Sequence, residues 1–165
     1  MALTDYTTSD DVRATLGVSR TELPNTSIET SNNELIVVLA LEDVSTDIPT
    51  EFATVSALPS GSRTTAQQRF YDLVKLFSAY ALSKSLLTSL PMFGVQRLTD
   101  GKAEFQRQAD TFNDLKDGID SALNALRYRL GAAYQTLFPG ESVAVRVTPR
   151  MTAVVALGTD PVTNA

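Results

Sequence analysis

Residues 65–91, TAQQRFYDLVKLFSAYALSKSLLTSLP, carry the strongest local pattern in the chain. Thr65 and Gln68 stand at capping spacing, and Phe70, Leu73, Val74, Phe77, Ala81, Leu87 and Leu90 then recur at helical intervals until Pro91. The spacing predicts a core helix of about 25 residues. A stripe of large apolar side chains cannot face water along its whole length, so another element has to cover it.

The cover is written just downstream. After a reversal at Pro91-Met92-Phe93-Gly94, a second stripe can begin near Asp100 with Phe105, Ala109, Phe112, Leu115, Ile119, Ala122, Leu126, Leu130, Ala133 and Leu137, ending before Pro139-Gly140. At about 1.5 Å per residue, roughly 37 residues extend about 55 Å, longer than a compact domain of this size needs. The short link predicts antiparallel packing of the two long helices. Gly118, inside the second, is a candidate for a kink or a close helix crossing.

Shorter helices precede this pair. Thr8 or Ser9 before Asp10 and Asp11, with Gly17 after Leu16, predicts a short helix over Asp10–Leu16. Ser19 with Glu22 repeats the capping spacing, but Pro24 limits it to a turn or so. The run Leu35-Ile36-Val37-Val38-Leu39-Ala40-Leu41 is ambiguous by composition, since a short continuous apolar stretch hides its period. Ser31 with Glu34 tips it towards a helix ending near Val44. Residues 45–62, with Pro49, Pro59 and Gly61, read as a connection, in which Phe52, Val55 and Leu58 allow a short helical turn.

The end of the chain changes character. From Glu141 onward the pattern becomes an alternating apolar ribbon, Val143, Val145, Val147, then Met151 to Leu157. A hairpin across Thr148-Pro149-Arg150, folded back on the helices, is one reading. An isolated two-stranded hairpin is only marginally stable in water, and an unpaired apolar edge invites aggregation. Strand addition to a sheet of another chain relieves both problems, and is the preferred expectation. The fold class expected is mainly α: an antiparallel long-helix hairpin with short N-terminal helices, a helical body over 1–140, and an extended β-patterned docking arm over 141–165.

Composition narrows the chemistry. The chain has no His, Cys or Trp, which removes the commonest general base, the thiol nucleophile, thiolate metal ligands and disulfides. No nucleophile pairs with an evident base, and neither Gly94 nor Gly101 sits in a phosphate-binding pattern, so an enzyme is not expected and no cofactor is implied. Asp110, Asp114 and Asp117 share one helix face, where three carboxylates could hold a hard cation. Without a ligand loop, and with Arg107 and Lys116 close by, a solvated face is the better reading, and no metal site is expected. No apolar run approaches the roughly 18 to 20 residues that cross a bilayer. The start, Met-Ala-Leu-Thr-Asp-Tyr, has neither a basic end nor an apolar signal core, which predicts synthesis and retention in a cytoplasm until assembly or release.

Charge is polarised along the sequence. The net charge is −5. Residues 1–62 hold two basic against ten acidic residues, a net −8, and residues 63–165 hold twelve against nine, a net +3. The overall sign argues against general nucleic-acid binding through a large basic surface. Beside ordinary surface variation, the asymmetry allows an acidic face to meet a basic face on a neighbour. Arg127, Arg129, Arg146 and Arg150 concentrate positive charge late in the chain. They either bridge acidic neighbours or, if the chain encloses DNA, touch phosphates without reading bases.

With these elements placed, residues 4–138 resemble the head-to-tail connector, or adaptor, proteins of tailed bacteriophages. The resemblance is carried by Thr4-Asp5-Tyr6-Thr7-Thr8 and Asp11-Val12-Arg13-Ala14-Thr15-Leu16-Gly17-Val18-Ser19, similar to the opening helix and Gly-Val-Ser turn of such adaptors. It continues in Gln67-Gln68-Arg69-Phe70-Tyr71 through Leu90-Pro91-Met92-Phe93 and in Asp100-Gly101-Lys102-Ala103, similar to their long helical hairpin. These are packing and turn signatures without catalytic chemistry. The resemblance implies a virion protein of the neck, made in a host bacterial cytoplasm, with commonly twelve copies forming a ring beneath the portal around the DNA channel. It implies contacts with portal, with tail or nozzle proteins and with adjacent subunits, and no membrane. Carried onto this chain, Val143, Val145, Arg146, Val147, Arg150, Val154, Val155 and Leu157 become the docking candidates, and Arg127 and Arg129 the candidate channel-facing bases. The strand character of the arm departs from the family pattern. A head-completion or tail-terminator protein of the same neck region is the nearest alternative, and a non-viral helical interaction module the more distant one.

Overall fold

The computed structural model describes residues 2–87 and 102–140, and within them the regular structure is helical. The elements are α1 (Leu3–Tyr6), α2 (Ser9–Leu16), α3 (Asn25–Ile28), α4 (Ser31–Glu42), α5 (Ile48–Ser56), a 3-10 turn (Ser60–Ser62), α6 (Thr65–Leu87) and α7 (Lys102–Leu137). The β-patterned arm, residues 141–165, and the reversal at 91–94 lie outside the described residues.

Local chemistry sets the helix ends. At α2 the Thr8 hydroxyl accepts from the Asp11 amide at 3.2 Å, and the Asp11 carboxylate accepts back from the Thr8 amide at 3.4 Å. This reciprocal box satisfies donors that the first helical turn leaves without partners. Gly17 closes the helix with φ 68, a left-handed conformation that a side chain resists. The two later helices are capped one residue earlier than the sequence spacing suggests. Thr30 rather than Ser31 caps α4, its hydroxyl accepting from the Asn33 amide at 3.3 Å. Before α6, Thr64 accepts from the Gln67 amide at 3.3 Å while the Gln67 side chain accepts from the Thr64 amide at 2.9 Å. In both places two Ser/Thr residues stand side by side at the helix start, and the geometry selects the first of each pair.

Residues 45–62 are more ordered than a connection. Asp47 precedes a nine-residue helix, α5, with a proline in its first turn, where the missing amide hydrogen costs nothing. Its inward residues Ile48, Phe52 and Val55 are all buried. Helices α1 and α3, four residues each, are absent from the sequence expectation because single turns carry too few apolar positions to show a period. Around Ser19 and Glu22 the chain does no more than turn, as Pro24 demands.

Helix α6 is the hub, packed against α2, α4, α5 and α7. Phe70, Val74, Phe77 and Leu82 are fully buried along it, and α7 brings Ile119, Leu126, Leu130 and Tyr134 to the same core. Each such side chain contributes about 1.5–3 kcal/mol through removal from water. Phe70 lies 6.1 Å from the Tyr134 ring, and Lys84 pairs with Asp120 at 2.7 Å, so contacts on α7 move back in sequence as those on α6 advance. Gly118 is exposed, and nothing lies within reach of a Cβ built there, so it makes no close helix crossing. A second aromatic stack, Tyr6 on Phe52 at 5.4 Å and Phe52 on Tyr71 at 5.3 Å, ties α1 and α5 to α6.

Candidate functional site

The opening of the chain is a self-contained lock. Arg13 is buried on α2, and its guanidinium donates to the Leu23 carbonyl at 3.0 Å, the Asn25 side chain at 2.9 Å and Asp10 at 2.6 Å. A planar guanidinium with several donors suits this task, because it can satisfy acceptors from two segments at once. The hydrogen bond from Arg13, followed by its positive charge, holds the exposed Asp10 carboxyl below the usual carboxylate range. Nearby, Tyr6 is raised above the ordinary phenol value, first by burial and then by the charges of Glu34, Asp5 and Glu42. Asp11, Arg13 and Gly17 therefore do structural work at this corner.

Among the described residues, two surfaces group exposed leucines with charge. The first is the outer face of α4. Val37 and Leu41 point into the core, whereas Leu35 and Leu39 are 56% and 51% exposed on the opposite side. Glu42 continues the same stripe, and Asp43, also exposed, follows it. The helix is apolar nearly all round, yet among the described residues only one side of it has something to pack against.

The second is a groove of about 670 Å³ between α6 and α7. Arg69, Leu73 and Leu76 lie at i, i+4 and i+7 on α6 and line it, with Arg63 from the preceding loop and Arg129 from α7. Arg63 is committed to structure: it donates to the Val55 and Ser56 carbonyls, each at 3.1 Å, and sits 3.9 Å from the Tyr71 ring centre. It thereby caps the carbonyl end of α5. Arg69 and Arg129 are exposed and make no ion pair among the described residues. Asp72, which accepts from Gln68 at 2.8 Å, is the groove's carboxylate. Leu76, 47% exposed, forms the ridge between this groove and a neighbouring one bearing Asp11, Lys75 and Tyr80.

The structure separates the two basic residues singled out on the last helix. Arg127 approaches Asp43 at 3.7 Å, next to the end of α4, and Arg129 faces the groove. Two residues along an α-helix turn by about 200°, so the pair flanks the buried stripe of α7 on opposite sides. Asp114 and Asp117 are exposed, and no group of metal-ligating side chains occurs among the described residues. No helix among them is long and apolar enough to cross a membrane. The arm candidates Val143, Val145, Arg146, Val147, Arg150, Val154, Val155 and Leu157 lie outside the described residues.

The sequence pointed to the helix α4 but not to its outer face, since a continuous apolar run does not say which side chains the core will cover. Nor did it point to the groove, because Arg69 and Arg129 are 60 positions apart in the chain and meet only through packing of α6 on α7. Comparison with known protein families, curated proteins and solved structures returns no match to this chain.

Proposed function

We propose that the protein is a structural adaptor of a bacteriophage neck, forming a ring beneath the portal around the DNA channel and offering a platform for the tail. In this reading α6 and α7 form an antiparallel hairpin that builds the ring wall, and residues 141–165 are an arm that docks on portal or on a neighbouring subunit. The role is architectural rather than catalytic.

The observation that carries the reading is the unpartnered surface of a well-packed body. Leu35, Leu39 and Leu76 are among the large apolar side chains left exposed, and Arg69 and Arg129, with no ion pair among the described residues, line the groove beside Leu76. Exposed apolar side chains grouped with charge mark contact surfaces more often than they mark reaction centres. The acidic first part of the chain and the basic remainder suit heterologous contacts, in which one patch meets a different patch on the next copy. The resemblance of residues 4–138 to the adaptors supplies the context. The mechanism is coupled assembly, in which the arm loses conformational freedom on docking and gains apolar contacts and strand hydrogen bonds.

The experiment is a truncation. Removal of residues 141–165 should leave a helical body, recognisable by circular dichroism, that no longer co-sediments with portal. Undiminished association of the truncated chain would remove the docking role from the arm.

A further inference from the structure

The outer face of α4 and the groove between α6 and α7 are complementary in both shape of pattern and sign. On α4 the stripe reads Leu35, Leu39, Glu42: two exposed leucines ending in an acid, with Asp43 beside it. On α6 the stripe reads Arg69, Leu73, Leu76: a base followed by two leucines, with Arg129 across the groove. We propose that these two faces are the halves of one heterologous contact, so that α4 of one copy lies in the α6–α7 groove of the next. The assignment rests on the ring reading above and deepens it by naming the surfaces that join neighbours.

Within the described residues, one copy does not satisfy itself. Arg127, not Arg129, meets the acidic end of α4 within the molecule, and the two arginines flank the buried stripe of α7 on opposite sides. The acidic, leucine-bearing face and the basic, leucine-bearing groove therefore point away from each other, as a repeating contact between copies requires. A symmetric contact gains no opposite charge on either side, since α4 against α4 joins two acid-bearing faces and groove against groove joins two arginine-bearing ones. Nucleic acid fits the groove less well. Leu73 and Leu76 offer nothing to a phosphate, Asp72 repels it, and Arg63 is already occupied by the carbonyls of α5.

Because the chain has no cysteine, introduced thiols report unambiguously. With Glu42 set against Arg69, Leu35 falls opposite Leu76, so full-length Leu35→Cys and Leu76→Cys variants are prepared separately, mixed at high concentration and oxidised mildly, which traps even a transient contact. Both side chains are exposed, so each variant should keep the parent melting temperature. The expected product is a mixed disulfide containing one copy of each variant, in several-fold excess over either homodimer. Adding Glu42→Arg to the first variant should cut its yield several-fold, and adding Arg69→Glu to the second should restore it. A dominant Leu35→Cys homodimer, the absence of a mixed product, or a mixed product indifferent to both charge reversals would overturn the assignment. So would duplex DNA binding that is lost with Arg69→Glu and that blocks the groove thiol. A Leu39→Lys variant separates the two claims. If it still forms rings on portal, the surface assignment fails and the ring stands; if the parent chain forms none while the mixed disulfide appears, the reverse holds.

Discussion

Arg13 illustrates how one side chain can hold a corner of the molecule. It is 5% exposed, and it satisfies the Leu23 carbonyl and the Asn25 side chain while drawing its counter-charge from Asp10. Arg13→Ala leaves a buried carbonyl without its donor and should destabilise the fold by about 2–3 kcal/mol, read from the urea midpoint at constant m-value. Asp10 tests the same lock through pH. Its native pKa is lowered, so the unfolded chain binds the proton more readily than the folded one. The stability it contributes is present above the ordinary carboxylate range, near about pH 4, and is lost as pH falls through the lower native value. Asp10→Asn should flatten that part of the acid-unfolding curve, with the effect kept small by solvent screening of the exposed Asp10 carboxylate. An unchanged acid limb would show that Arg13 acts without Asp10.

Among the elements, α6 and α7 should carry most of the stability. Phe70 is fully buried and touches both Tyr134 and Phe138, so Phe70→Ala should cost about 3–5 kcal/mol in chemical denaturation. Leu39→Ala, by contrast, should stay within about 0.5 kcal/mol of the parent, as expected of a surface position. The contrast matters because α4 reads in the sequence as uniformly apolar, whereas only Val37 and Leu41 are fully enclosed. Periodicity revealed the long helices because Phe70, Val74 and Phe77 repeat over several turns. It failed for α1 and α3, where one turn cannot show a period, and it underrated α5, whose Pro49 looked like a breaker but sits harmlessly in the first turn. Tyr134 escaped the expected stripe although it is fully buried, since the stripe was drawn through Leu130 and Ala133 to Leu137. The groove was beyond any local reading, as its arginines Arg69 and Arg129 come from different helices.

At the scale of the molecule, charge and exposed leucines argue together. The first 62 residues carry a net −8 and the remainder a net +3, and the acidic part includes α4 while the groove belongs to the basic part. Opposite potentials on different faces favour a repeating contact over a symmetric pair and set its register. Assembly through such faces should weaken as salt screens the outer charges, with the apolar component persisting. The measurement that bears most directly on the adaptor reading is negative-stain imaging of the full chain mixed with purified portal. The reading predicts rings of this protein seated coaxially on portal particles and surrounding an open channel. Portal particles that remain bare at saturating protein would contradict it.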